Sequence, residues 1–265
     1  MDLTIPIGIL IGLLGIVGGR ILEGGNPLFL LQFTAFIIVF GGTLGAMIIG
    51  ARSFDILNFP AHLRKIYSPP TLSPQDIIPQ LVQFAEKARR EGLLSLEREV
   101  PQAKDTFLKQ GLQLVADGTD PEIVKSILSI QLDRQAARHD RVAKMYEAGA
   151  GYAPTIGIIG AVLGLISVME HLEGGISEIG HGIAVAFVAT IYGLVLANIM
   201  FFPMANKLRL RSEEEFLIRE LILEGILSIQ AGDNPRILEE RLKAFLSAEE
   251  RLAYDTAKGT KKSVL

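Results

Sequence analysis

The chain has no cysteine, so it can form neither a disulfide nor a thiolate metal site. It has only His62, His139, His171 and His181, and no HExxH or HxxxH spacing among them. It has no glycine loop of the phosphate-binding kind, no nucleophile elbow and no carboxylate pair in a plausible cleft. No enzyme site, metal or cofactor is therefore expected. The 26 basic and 29 acidic residues nearly balance, which argues against a nucleic-acid partner. The start Met1-Asp2-Leu3 lacks a basic leader, and Arg20-Ile21-Leu22-Glu23 is not a small-residue cleavage site. Ile5–Leu22 is expected to be a retained membrane span rather than a signal peptide.

What the chain has instead is long apolar runs. The mean hydropathy is +0.37 although 21% of residues are charged, so charge and apolar surface must be segregated. Tyr152–Met169 and Gly182–Met204 carry no Asp, Glu, Lys, Arg or His. Each is near the ~20 residues needed to cross a hydrocarbon core of ~30 Å. Together they read as a transmembrane hairpin. Ile5–Leu22 and Leu28–Ile49, joined by the tight turn Glu23-Gly24-Gly25-Asn26-Pro27, supply two more spans. Arg20 lies at the end of the first, in helical reach of Glu23, where it can snorkel. Glycines recur four apart at Gly8/Gly12, Gly15/Gly19, Gly41/Gly45 and Gly160/Gly164. Such pairs either let helices approach closely or reflect the general abundance of small residues in membrane helices.

The basic residues set the orientation. Apart from Arg20, all lie between Ala51 and Ala150 or after the fourth span; the loops Glu23–Pro27 and Glu170–His181 hold none. The positive-inside rule then places the long loop and both termini in the cytoplasm. The fold class expected is an all-α integral membrane protein with four transmembrane helices. A helical cytoplasmic domain lies between spans two and three, and a helical cytoplasmic tail follows span four. The segments are 1–50, spans one and two; 51–150, cytoplasmic; 151–204, spans three and four; and 205–265, C-terminal.

In the loop, Ser73-Pro74 reads as an N-cap and first helical residue, with Ile77, Leu81, Phe84 and Ala88 at helical spacing. Pro79 is awkward there and points to a later start, and Gly92 should interrupt the helix. A helix over Lys104–Ala116 should end at Asp117-Gly118. Another starts at Asp120-Pro121 and runs to Glu147, loosened beyond by Gly149, Gly151 and Pro154. The fourth span continues as a helix past Pro203 to Gln230. A last amphipathic helix covers Arg236–Leu252, and Thr256–Leu265 reads as a disordered tail.

The spans lack any ionisable group near their centres. Ion pumps and proton relays normally keep one there, so either no ion moves or a partner supplies the carboxylate. Thr190, midway along the fourth span, could serve such a carboxylate or a hydrated ion. Chemistry alone favours a bond to its own helix backbone. Pro154 and Pro203 are either hinges coupling the membrane to the cytoplasmic domain or ordinary kinks. Arg89, Arg90, Glu97, Arg98 and Glu99 form a mixed-sign cluster, read as a solvated face or as a docking surface.

Four stretches carry a resemblance: Ala88–Arg98 (ARREGLLSLER), Tyr152–Ile166 (YAPTIGIIGAVLGLI), Ala189–Leu208 (ATIYGLVLANIMFFPMANKL) and Gly225–Leu246 (GILSIQAGDNPRILEERLKAFL). With the four-span topology, the chain resembles the MotA/PomA family of bacterial flagellar stator subunits from Met1 to about Arg251. The resemblance implies five copies around two copies of a MotB/PomB-type partner, whose membrane helix carries the ion-binding aspartate. It implies an inner-membrane location, and a cytoplasmic domain that pushes on the rotor protein FliG. Arg89 and Glu97 match the family's rotor-facing charges, with Arg90 beside them. Pro154 and Pro203 match its two functional prolines, and Thr190 matches the channel threonine. Ala161 stands where sodium-type members carry a second threonine, and Arg98 where some carry an acidic residue. This is the proton-type pattern, with H+ expected over Na+. The related ExbB/TolQ proteins, ion-driven subunits of non-flagellar envelope machines, usually have three spans and a different loop order. A passive membrane scaffold would tolerate alanine at Thr190, Pro154 and Pro203.

Overall fold

The computed structural model describes residues 3–67, 72–103, 105–170 and 176–262, and among these every regular element is helical. In chain order the α-helices are α1 (Thr4–Leu22), α2 (Phe33–Phe36), α3 (Gly42–Gly50), α4 (Ser53–Leu57), α5 (Phe59–Tyr67) and α6 (Pro74–Glu91). They continue with α7 (Thr106–Ala116), α8 (Pro121–Glu170), α9 (Ile176–Val195), α10 (Phe202–Ala231), α11 (Pro235–Lys243) and α12 (Ala248–Lys262). Among the described residues, four helical segments are long and apolar enough to cross a membrane: Thr4–Leu22, Pro27–Gly50, and the apolar parts of Pro121–Glu170 and Ile179–Ala231. The chain divides into two compact units, Met1–Pro69 with His139–Leu210, and Pro70–Arg138 with Arg211–Leu265.

The first unit holds the apolar spans. Its core gathers Ala35, Val39, Met47, Tyr146, Ala150, Ala153, Ala189, Ala197 and Phe201. Tyr146 stacks on Phe59, with ring centroids 5.5 Å apart, and meets Phe201 edge-on at 6.3 Å. Small residues dominate where helices cross, as expected where lipid removes any hydrophobic drive between helices. The large apolar side chains Ile158, Ile159, Val162, Leu163, Ile166, Phe187 and Leu194 remain exposed. So does most of α1, none of whose residues is buried. A water-soluble surface would not carry so much contiguous apolar area.

The second span is not one uninterrupted helix. Asn26 accepts a hydrogen bond from the Leu28 amide at 2.9 Å and Pro27 follows it, which winds Pro27–Leu30 into a tight 3₁₀ turn. Leu31 and Gln32 are then extended, and helix resumes at Phe33. Ile37–Gly41 forms a π turn between α2 and α3. From α3, the buried Thr43 hydroxyl donates to the carbonyl of Val39 in that turn at 2.6 Å. A second π turn, Leu196–Phe201, precedes Pro203. Proline has no amide proton and its ring crowds the carbonyl four residues back; the wider turn relieves that clash.

The second unit packs Leu81, Leu108, Leu112, Leu128, Leu221, Ile222 and Ile226 into its core. Helix α6 starts at Pro74 as the sequence suggests, but Pro79 does not delay it. Pro79 gives up one bond, to the Gln75 carbonyl, while Ile77, Ile78, Leu81 and Phe84 are all buried. Their packing outweighs the loss. Asp105 caps α7 by accepting from the Phe107 and Leu108 amides at 2.8 and 3.0 Å. Helix α8 runs unbroken through Gly149, Gly151 and Pro154 to Glu170, so these residues do not interrupt it. The C-terminal segment departs most from expectation. It is two helices, α11 and α12, divided at residues 244–247, and α12 reaches Lys262 where a disordered tail was expected. Residues 263–265 lie outside the described part. Helix α12 is held by polar pairs: the Tyr254 hydroxyl donates to Glu239 at 3.0 Å, and Lys243 meets Asp255 at 2.7 Å and Glu240 at 2.9 Å.

Candidate functional site

The hairpin of spans three and four is built on a seam of residues without bulky side chains. A Cβ placed on Gly157 would lie 3.0 Å from the Ala189 carbonyl oxygen, and one on Gly164 would lie 2.9 Å from the Ala186 nitrogen. On Gly193 it would lie 2.5 Å from the Ala153 carbonyl oxygen. The seam thus runs from Gly193 through Ala189 and Ala186 to Gly182 on α9, against Ala153, Gly157, Gly160 and Gly164 on α8. The Gly160/Gly164 pair makes the close approach its spacing suggested. Gly8, Gly15, Gly19, Gly41 and Gly45 have open space where a Cβ would stand, whereas a Cβ on Gly12 would lie 3.1 Å from the Ile199 side chain. Among the described residues the Gly15/Gly19 and Gly41/Gly45 pairs therefore bring no helices together, and of the Gly8/Gly12 pair only Gly12 meets another helix.

Thr190 sits half-buried beside this seam. Its hydroxyl donates to the Ala186 carbonyl at 3.2 Å. A hydroxyl has one proton to give and two lone pairs, so the acceptor side is uncommitted by this bond. A Cβ on Gly157 would lie 3.4 Å from the Thr190 Cα, and Ala161 follows Gly157 by one turn on the same face of α8. Pro154 lies on that helix against Gly193. The fold therefore gathers Thr190, Ala161 and Pro154 along one helix pair. Pro203 is exposed just past the π turn. It lines a groove of about 350 Å³ with Gly8, Gly12, Asn198, Met204 and Lys207. Asn198 donates to the Leu194 carbonyl at 2.9 Å.

In the second unit, Gly92 adopts φ +85°, a conformation that favours glycine, and turns the chain from α6 into a 3₁₀ segment, Leu93–Arg98. Leu96, fully buried, anchors that segment. The Ser95 hydroxyl donates to the Gly92 carbonyl at 2.7 Å. Arg89, Arg90, Glu97 and Arg98 are left exposed around the turn. Lys87 and Glu99 form an ion pair beside them, and the Glu99 carboxylate holds the Lys87 ammonium above its ordinary pKa. The spacing Arg89…Glu97 thus marks a turn that presents charge on a rigid support.

Two features escaped sequence reasoning. Tyr192 on α9 bridges the break in the second span: its hydroxyl donates to the Leu30 carbonyl and accepts from the Gln32 amide at 3.1 Å. A tyrosine within an apolar run was the available signal, because a buried phenol needs a partner. Arg209 on α10 grips Glu147 on α8 through both guanidinium nitrogens, the Nη2 contact at 2.7 Å. Nothing in the spacing links these two positions.

The model of the MotA/TolQ/ExbB proton channel family matches residues 99–221, and that of the Motility protein A N-terminal region matches residues 6–92. Motility protein A of Bacillus subtilis (strain 168) is 34% identical over 255 residues, covering 96% of this chain and 94% of the relative. The chain belongs to the Motility protein A family. Chemotaxis protein PomA of Vibrio alginolyticus is 32% identical over 251 residues, covering 95% of this chain and 98% of PomA. Among solved structures, the flagellar MotAB stator complex from Bacillus subtilis matches this MotA-family chain with a TM-score of 0.88. The identity is 34%, with 96% of this chain and 99% of that one covered. The C. jejuni MotAB structure matches with TM-score 0.88, 31% identity, and 94% and 97% coverage. The four apolar spans and all-helical fold agree with this membership, and the ExbB/TolQ alternative is not favoured.

Proposed function

We propose that this chain is the membrane-embedded subunit of a flagellar stator and forms an ion path with a MotB/PomB-type partner. The observation that carries this reading is the pair of charge-free runs, Tyr152–Met169 and Gly182–Met204: a tight seam of small residues flanked by one well-placed threonine. Moving a charge through hydrocarbon is costly, so a path here needs a carboxylate from outside the chain. The partner's membrane helix supplies it. The Thr190 hydroxyl keeps its proton on Ala186 O and offers lone pairs, which suit the protonated form of a neighbouring carboxyl. With Ala161 rather than a second hydroxyl nearby, the ion is H+ rather than Na+. Five copies surround two partner chains in the inner membrane, with both termini cytoplasmic. Pro154 and Pro203 serve as the hinges through which carboxyl protonation is coupled to the cytoplasmic domain. Arg89, Arg90 and Glu97 meet the rotor protein FliG.

The test is swimming speed in a stator-deleted strain carrying this chain and its cognate partner, across a sodium series at fixed pH. Speed that is independent of sodium is expected. Speed rising from zero with sodium would overturn the proton assignment, and no rotation with the complex assembled would overturn the stator reading in that host.

A further inference from the structure

A seam of glycine and alanine fixes how close two helices lie. It does little to fix rotation, because it offers no knobs to lock into holes. Helix α9 meets α8 along such a seam, through Gly182, Ala186, Ala189 and Gly193. Something else must set its rotational position. At 3.6 residues per turn, Tyr192 and Thr190 stand about 160° apart around α9, on either side of that seam. Tyr192 reaches the second span where the helix is broken. There its hydroxyl holds both an orphan carbonyl, Leu30 O, and an orphan amide, Gln32 N–H. Backbone groups left unpaired in an apolar medium are costly, so this pair of hydrogen bonds is a strong stop. The partner positions lie 160 and 162 residues away in sequence.

We infer that Tyr192 is a positioning residue for the ion path: by tying α9 to the break in the second span, it sets the rotation at which α9 presents Thr190. The inference rests on the reading of Thr190 as part of that path. Tyr192 touches no ion. Rotation of α9 that frees its hydroxyl would swing Thr190 relative to the seam, changing which groups the threonine lone pairs meet.

The test is Tyr192→Phe, which keeps the ring and removes both bonds. Rotation speed per stator is measured across external pH, with stators per motor counted by fluorescence. A stator count near wild type is expected, with speed per stator reduced about threefold or more and the pH dependence displaced. Because the chain has no native cysteine, Thr190→Cys gives a single-site probe. Its thiol labelling rate should change when Phe replaces Tyr192. An unchanged speed–pH curve and labelling rate would overturn the proposal. Fewer stators at normal speed per stator, or failure to join motors at all, would assign Tyr192 to assembly alone and also overturn it. Thr190→Ala, run alongside, tests the underlying reading separately. An unchanged curve there, beside a displaced one in Tyr192→Phe, removes Thr190 from the path and with it the positioning of Thr190. The reverse pattern overturns the role of Tyr192 and leaves the path intact.

Discussion

Gly193 lies against Ala153 so closely that a methyl group on it would sit 2.5 Å from the Ala153 carbonyl oxygen and 3.1 Å from the Pro154 Cα. Backbone cannot yield as a flexible side chain does. Gly193→Ala is therefore expected to push α9 off α8 and cost ~1–3 kcal/mol, as overpacking does. Gly164→Ala should behave alike. Both should lower the melting temperature of the detergent-solubilised complex and abolish motility. Gly15→Ala meets nothing within 4 Å in the same chain. Loss of motility there would report a contact with another chain, and equal damage at all three would refute the seam.

The Arg209–Glu147 grip should be worth about 1 kcal/mol. Both side chains are about one-third exposed, so solvent screening reduces the strong geometry of a two-pronged pair. A double-mutant cycle with Arg209→Ala and Glu147→Ala, read by thermal unfolding of the complex, should return a coupling of that size. Arg209→Lys should lose most of it, because an ammonium cannot reproduce the fork. A coupling near zero would make the contact incidental.

The Tyr146 hydroxyl is buried and has no hydrogen-bond partner among the described residues, while its ring packs between Phe59 and Phe201. Tyr146→Phe keeps the stacking and removes the unpaired group. Stability of the complex is expected to stay level or rise by about 1 kcal/mol. A clear fall in melting temperature would show that the hydroxyl has a partner in the assembled protein.

Docking of α12 should depend on pH at both ends of the scale. The Lys243 ammonium is held above its ordinary 10.5, chiefly by its hydrogen bond to Asp255. Its contribution is complete below that value and is lost as pH rises through the raised one. The Glu240 carboxyl is held below its ordinary 4.5 by the hydrogen bond from Lys243. Its contribution is present above 4.5 and is lost as pH falls through the lowered value. Protection of the α12 amides against hydrogen exchange, taken relative to the intrinsic rate at each pH, should be greatest between these limits and fall beyond either. Lys243→Met should flatten the alkaline limb, and protection that stays level with pH would show that the pairs do not hold the helix.

The parts of the molecule legible in the sequence were those governed by local chemistry. Apolar length gave the four spans, Ser73-Pro74 and Gly92 gave the limits of α6, and Asp117-Gly118 gave the end of α7. What escaped depended on partners distant in the chain. Pro79 sits inside α6 because Leu81 and Phe84 are buried beneath it. The extended residues Leu31 and Gln32 persist in an apolar segment because Tyr192 pairs their backbone neighbourhood. Helix α12 forms because Glu239 and Lys243 on α11 give it polar anchors; its own composition reads as a solvated tail. At the candidate site, Thr190 was visible as the polar residue in mid-span. Gly157 and Gly193 were not, since spacing alone does not say which glycines face another helix.

The π turn at Leu196–Phe201 also alters how the fourth span keeps time. The inward positions Gly182, Ala186, Ala189 and Gly193 follow the α-helical beat, which would next fall near 197, 200 and 204. Within the turn Ala197 keeps that beat and Phe201 falls one residue late; beyond it Met204 is buried on the beat, and Ala205 and Leu208 are buried up to one residue later. An i→i+5 turn takes up one residue more than an α-turn, so the fourth span contains a phase slip. Deleting one residue within that turn should restore a single rhythm on both sides of it, whereas a deletion at Ala189 would rotate everything downstream by about 100°. The two halves of this helix are therefore separately registered parts, joined at a place where chain length can change without disturbing either.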